Sequence, residues 1–346
     1  MKKQDLLSLT GNMQQLAYAR PLMFTDGRAA GVQACEVKNG ELFFRVLADR
    51  CMDIEEFSYK GQTINFLTKP GLTGRINHDL NDQEGLRSIM GGFLFMCGFE
   101  NVGDACTTAD GKNRPFHGSL RYSMAEHFSS SAVWQDDDYV ITVSGEMRES
   151  ALFSENLTLR REIQTKLGEK SIIIRDEIEN QAFKPEAMML LYHFNFGYPL
   201  LSPNTRIIIP SIEVTPRDAI SALHAENWHV MDEPKPNEPE YVFIHKLKAD
   251  KNGNTFVAVI NDNMQMGVLI EFNKKYLPNL TQWKSIASGD YVLGLEPTNS
   301  TAHGSRDFHE KENSVHMLEP FEKECIEHRI TILDGKEKID NFVEKH

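Results

Sequence analysis

Short runs of β-branched and aromatic residues recur along this chain with no helical period between them. Leu42-Phe43-Phe44-Arg45-Val46-Leu47, Tyr139-Val140-Ile141-Thr142-Val143, Ser171-Ile172-Ile173-Ile174 and Arg206-Ile207-Ile208-Ile209 are such runs, as are the segments 255–260 and 267–272. Turn residues bound most of them. A doubly wound parallel sheet needs a helix between successive strands, so closely spaced strands predict an all-β fold instead: a large antiparallel β-sandwich with few short helices. The one helical spacing, Leu6, Leu9, Met13, Leu16 and Ala17, predicts a helix over 5–17 that Pro21 would end.

The 346 residues, 40% of them hydrophobic, can fill one large core. The polar, proline-rich stretch 232–240 reads either as a linker between two domains or as a long loop. Strands continue in the same style on both sides, so a single domain over 1–346 is expected. Fifty acidic against 37 basic side chains leave a formal charge of −13, which disfavours nucleic acid and anionic membranes as partners and favours small ligands. No segment approaches the roughly 18 unbroken apolar residues of a membrane span, and the N-terminus lacks the apolar run of a signal peptide. A cytoplasmic location is expected. Cys35, Cys51, Cys97, Cys106 and Cys325 form an odd set without a C-x-x-C pair, expected to be reduced core fillers.

The glycine-rich nucleotide signatures and the G-x-S-x-G nucleophile elbow are absent, which removes support for kinase, dehydrogenase and serine hydrolase readings. His303, His309 and His316, with Asp307 nearby, match no metal-ligand spacing, and no metal is expected.

Three segments place a titratable side chain among Gly, Pro, Asn and aromatic residues, the mixture expected where strand ends line a pocket. They are Arg114-Pro115-Phe116-His117-Gly118, Tyr192-His193-Phe194-Asn195-Phe196-Gly197-Tyr198-Pro199 and Leu293-Gly294-Leu295-Glu296-Pro297-Thr298-Asn299. Taken singly, His117 could satisfy a turn carbonyl and His193 could be a core histidine. Glu296, inside an apolar run, would be buried at a desolvation cost unless it had a partner or a task.

In this order the segments resemble the two histidines and the glutamate of the aldose 1-epimerases, in the galactose mutarotase-like superfamily, over most of the chain. Asp49-Arg50-Cys51-Met52-Asp53-Ile54, Gly91-Gly92-Phe93-Leu94-Phe95-Met96-Cys97-Gly98 and Leu280-Thr281-Gln282-Trp283-Lys284 resemble a divergent branch of that superfamily, largely of unknown function. The resemblance implies a mutarotase-like supersandwich and acid-base interconversion of sugar anomers. Glu296 would be the base, His193 the acid, and His117 a hydrogen-bond donor to the ring oxygen. Such chemistry calls for no cofactor.

An ionised glutamate near its usual pKa, and a histidine raised slightly by that carboxylate, would divide these roles at neutral pH. A pyranose offers apolar C–H faces and a ring of hydroxyls, for which Trp283, Asn195 and Asn299 are candidates. The family's arginine upstream of the first histidine has no clear counterpart: Arg75 and Arg87 compete, and Arg87 is preferred. For its aspartate, Asp218 and Asp232 compete, and Asp232 is preferred.

Three other readings stand beside this one. A non-catalytic sugar-binding or sensing protein would lack the acid or the base. A glycoside-processing enzyme would need a second carboxylate in a motif. An isomerase of phosphorylated sugars could draw on Arg114 or Arg121. A free sheet edge would favour homodimers.

Overall fold

The structure, a computed structural model, describes residues 2–74 and 82–346, with side chains at 82–84 excepted. Two large sheets of antiparallel strands face each other. The first runs in the order Tyr18–Met23, Gln33–Lys38, Leu42–Leu47, Asp53–Tyr59, Leu94–Phe99, Met189–Phe196, Asp290–Thr298, Asn279–Ala287, Tyr241–Leu247, Ser211–Pro216. The second runs Glu126–Gln135, Asp138–Ser150, Asn156–Lys166, Ser171–Asn180, Lys323–Asp334, Met266–Asn273, Asn254–Asn261, Arg206–Ile208. The predicted β-sandwich is therefore the observed one, and each of the predicted runs lies in a strand except for Ile209, just past the end of Arg206–Ile208.

The second sheet follows the two-residue period of a half-buried strand. In Ser171–Asn180, Ile172, Ile174 and Ile178 are buried while Arg175 is exposed, and in Lys323–Asp334 the buried set is Glu324, Ile326, His328, Ile330 and Ile332. Each such isoleucine withdrawn from water stabilises by roughly 1.5–3 kcal/mol. The first sheet breaks this pattern at its centre, where Leu94–Phe99 and Met189–Phe196 are buried along their whole length. Strands buried on both faces need a cover on the second face. Here loops supply it, and the cavity described below lies between them and the sheet.

One polar layer crosses the core. Arg161 pairs with Asp176 through two bonds, Nε to Oδ1 at 2.8 Å and a terminal nitrogen to Oδ2 at 2.6 Å. The Tyr192 hydroxyl also donates to Asp176 Oδ2, at 2.7 Å. A charge pair this deep is tolerated only when both partners are bonded. Through Tyr192 it ties the Met189–Phe196 strand to the opposite sheet.

Some expectations fail. The N-terminal helix covers only Lys3–Leu9, and Met13–Gln15 forms a separate 3₁₀ turn, because Thr10, Gly11 and Asn12 interrupt the period. Cys106 is half-buried and Cys325 exposed, the latter facing outward in the alternating Lys323–Asp334 strand, so neither fills the core. The 232–240 stretch runs as a loop beside the first sheet, bridging Lys235 to Ala287.

Candidate active site

Strand register assembles the site. Across the first sheet Phe95 pairs with His193, and Thr281 with Glu296. Because Leu191 pairs with Thr298 and Phe194 with Leu295, His193 stands opposite Glu296. Phe95, His193, Glu296 and Thr281 thus form one row over four strands. Two residues along, a second row on the same face reads Asn195, Gly294, Trp283, Val242. Side chains alternate across a strand, so Tyr192 and Phe194 point into the core while His193 points away from it.

Both rows floor a cavity of about 730 Å³. Its walls come from the segments that connect the long strands: Lys69, Gly103, Phe116 and His303 in loops, Phe66 in a two-residue strand and Leu86 in a 3₁₀ helix. His193 Nε2 and Glu296 Oε1 are 3.1 Å apart, with side chains 11% and 5% exposed. Trp283 meets the His193 ring edge-on, centroids 5.5 Å apart. The His117 ring stands at 86° to that of His193, 6.2 Å away.

His117 arrives from a loop held by backbone. Its N–H donates to the Gly103 carbonyl at 2.8 Å, and its own carbonyl accepts from Gly98 N–H. The Gly103 N–H donates to His117 Nδ1 at 3.2 Å, so in the neutral ring the proton sits on Nε2. The glycine after it is required: Gly118 has φ +73°, and a β-carbon there would lie 2.3 Å from the Gly98 carbonyl oxygen.

Electrostatics depart from the expectation of an ionised Glu296 and a protonated His193. Burial pushes the Glu296 carboxyl up to about 8, reinforced by Glu240 and opposed by Arg217. Burial also lowers His193, to about 4. His117 falls well below its ordinary value through burial, then the neighbouring His193, then Arg121. Desolvation therefore outweighs the attraction between imidazole and carboxylate. Between those two values the pair holds one proton and is neutral, with the proton resting on Glu296.

The remaining sequence candidates divide. His117, His193, Glu296, Asn195 and Trp283 all line the cavity; Asn299, Asp232 and Arg87 do not. Asn299 clamps a neighbouring strand, accepting from Leu190 N–H at 2.7 Å and donating to the Met188 carbonyl. Asp232 binds Lys284 Nζ at 3.0 Å, and Lys284 alternates with Trp283, so this contact lies on the far face of the sheet. Arg87 is exposed at the end of the Asp82–Ser88 3₁₀ helix, where its carbonyl accepts from Arg28. Arg75 lies outside the described residues, and Asp218 caps the short helix Ala219–Ala222. Arg114 pairs with Glu100. Arg121 is buried against Phe95 and Tyr122, away from the cavity lining.

Sequence reading missed Arg217, Glu240, Thr281, Lys69 and Asp290, all lining the cavity. Arg217, Glu240, Lys69 and Asp290 sit in no motif, whereas Thr281, in the cavity floor, belongs to the Leu280–Lys284 segment and lies two residues before Trp283. His303 also reaches the cavity, whereas His309 bonds Ser314 and His316 bonds Glu324. Among the described residues no group of three or more His, Cys, Asp or Glu is placed to hold a metal.

The fold these strands build is the galactose mutarotase-like supersandwich. A structure from Klebsiella pneumoniae subsp. pneumoniae MGH 78578, provisionally assigned as an aldose 1-epimerase, superposes with TM-score 0.89 at 22% identity, over 96% of this chain and 91% of that one. A galactose mutarotase-like protein from Clostridium acetobutylicum gives 0.62 at 14%, over 92% and 99%. Galactose 1-epimerase from Lactobacillus acidophilus NCFM gives 0.60 at 12%, over 92% and 100%. By sequence the chain belongs to the family described as "Domain of unknown function (DUF4432)", matched over residues 29–332. None of the curated proteins matches it.

Proposed function

We propose that the protein is a sugar 1-epimerase that interconverts the anomers of a free, uncharged sugar. The observation that carries this reading is the His193–Glu296 pair, set opposite each other by strand register at 3.1 Å on the floor of a cavity. Anomerisation removes the C1 hydroxyl proton and delivers a proton to the ring oxygen. The ring opens, the C1–C2 bond rotates, and the ring closes on the other face. One base and one acid suffice.

A proton shared between Glu296 and His193 meets this requirement. Moving it from carboxyl to imidazole yields the carboxylate that accepts the C1 hydroxyl proton and the imidazolium that protonates the ring oxygen, with no change in net charge. The His117 Nε2–H then donates to the ring oxygen or to the developing charge. Trp283 offers a face for sugar C–H groups, and Asn195 an amide for hydroxyls. His193 Nδ1 and Thr281 Oγ1 are buried without hydrogen-bond partners in the protein. Buried polar atoms rarely stay unpaired, and a polyhydroxylated ligand would satisfy them.

The test is anomer exchange by NMR over a panel of neutral aldoses and ketoses. Wild type is expected to accelerate exchange of at least one sugar, with Glu296→Gln and His193→Asn both losing the effect. A folded wild type that binds a sugar without accelerating its exchange would move the reading to a non-catalytic binder.

A further inference from the structure

The wall that faces Glu296 from the sheet edge is built from charges, and they are linked in a chain. The Trp283 indole stands at 79° to the His193 ring, and its Nε1–H donates to Glu240 Oε2 at 2.7 Å. Glu240 Oε1 accepts from an Arg217 terminal nitrogen at 2.9 Å. Arg217 Nε reaches Asp218 Oδ2 at 3.1 Å. Asp218 accepts from Ser221 N–H at 2.8 Å, and Ser221 Oγ accepts from Val242 N–H, on the strand next to Trp283. The chain therefore starts at the imidazole edge and ends in the sheet backbone.

Stability is a poor reason for this convergence. The Arg217 and Glu240 side chains are 36% and 47% exposed, and an ion pair that accessible contributes about 0–1 kcal/mol. What the chain does accomplish is local. It fixes the indole against His193, and it leaves one anionic and one cationic group beside a buried carboxyl.

We propose that Glu240 is a positioning residue for the His193–Glu296 pair, holding Trp283 edge-on to the imidazole and, together with Arg217, setting the charge that Glu296 experiences. The proposal rests on reading that pair as the proton-transfer centre. The titratable and charged groups around Glu296 include His193 on the adjacent strand with His117 against it, Cys97 one strand beyond, and Glu240 with Arg217 at the sheet edge. The Lys69–Asp290 pair closes the outer wall. Glu240 and Arg217 act in opposite senses: the carboxylate makes ionising Glu296 harder, the guanidinium makes it easier.

The opposed signs separate this role from simple packing. Carboxyl ¹³C NMR titration of the ligand-free protein, with the Glu296 signal assigned by its loss in Glu296→Gln, reads the pair without any turnover. Glu240→Gln keeps an oxygen for the Trp283 N–H and removes the charge, so the Glu296 midpoint should move down. Arg217→Gln should move it up. Glu240→Ala should move it down as well and also displace the Trp283 indole N–H resonance, with kcat for anomer exchange falling about 10-fold or more and KM changing less. Thermal unfolding monitors that all three variants fold. Midpoints that stay put in both Gln variants, or move the same way, would overturn the proposal. Opposite movements in a wild type that exchanges no sugar would retain the relation between Glu240 and Glu296 and remove the epimerase reading.

Discussion

Gly294 leaves no room for a side chain beneath His193: a β-carbon at this position would stand 2.7 Å from His193 Cε1 and 2.8 Å from Glu296 Oε1. Glycine in a strand interior usually marks a close approach, and here the approaching groups are the candidate acid and base. Gly294→Ala is expected to push the pair apart and lower kcat for anomer exchange at least about 10-fold, since small displacements of reacting groups are costly. Its melting temperature should change far less than its rate. Full activity in this variant would show that the contact is not required.

Replacing Glu296 should separate activity from stability. Glu296→Gln is expected to reduce anomer exchange about 10²–10⁴-fold. The folded carboxyl titrates near 8, against an ordinary 4.5. Below 4.5 both folded and unfolded chains are protonated there. As pH rises from 4.5 towards 8 only the unfolded chain gives up its proton, so this group's contribution to stability is lost across that window. A glutamine does not titrate. The stability of Glu296→Gln relative to wild type should therefore rise with pH, by about 4 kcal/mol between pH 4.5 and pH 8 by urea unfolding. A pH-independent difference would contradict the raised pKa.

Tyr192 and Asp176 provide a control on the reverse face of the same strand. Tyr192→Phe removes the 2.7 Å bond to Asp176 while the Arg161 contacts remain, and should cost about 1–2 kcal/mol with anomer exchange within a few-fold of wild type. Asp176→Asn leaves Arg161 buried without a counter-charge and should cost about 3–5 kcal/mol. Chemical denaturation ranks the two, and the reverse order would contradict the assignment of Arg161 as the charge that needs compensation.

Asp232, by its placement, should affect stability and leave sugar binding alone. Asp232→Ala takes a partner from Lys284, whose side chain is 1% exposed and also donates to the Asn227 and Val230 carbonyls. A loss of about 1–3 kcal/mol with unchanged sugar affinity by calorimetry is expected. Weakened affinity in a fully stable variant would return Asp232 to the binding site.

Elements and site were legible in the sequence to different degrees. Period and β-branching located the strands, because a half-buried strand leaves that signature in every residue. His193 and Glu296 were visible for a related reason: a titratable group in an apolar run demands an explanation. Arg217, Glu240, Lys69 and Asp290 carry no such anomaly, since charged residues at strand ends and in loops are ordinary, and only the tertiary fold brings them to one wall. Asp232 and Asn299 lie outside the cavity lining, and sequence does not tell which face of a sheet a residue in or next to a connecting loop will meet. The direction in which burial moves His193 and Glu296 depends on the cover over the sheet, which strand patterns do not record.

That cover has an evolutionary meaning. His193, Glu296, Trp283 and Asn195 are held in place by hydrogen-bonded register, whereas His117 and the walls around Lys69, Asp104 and His303 come from connecting loops. Loops tolerate exchange and insertion far better than paired strands do. Descendants of this architecture can therefore change what is admitted to the cavity by redrafting its roof, while the residues paired in its floor stay where the register puts them.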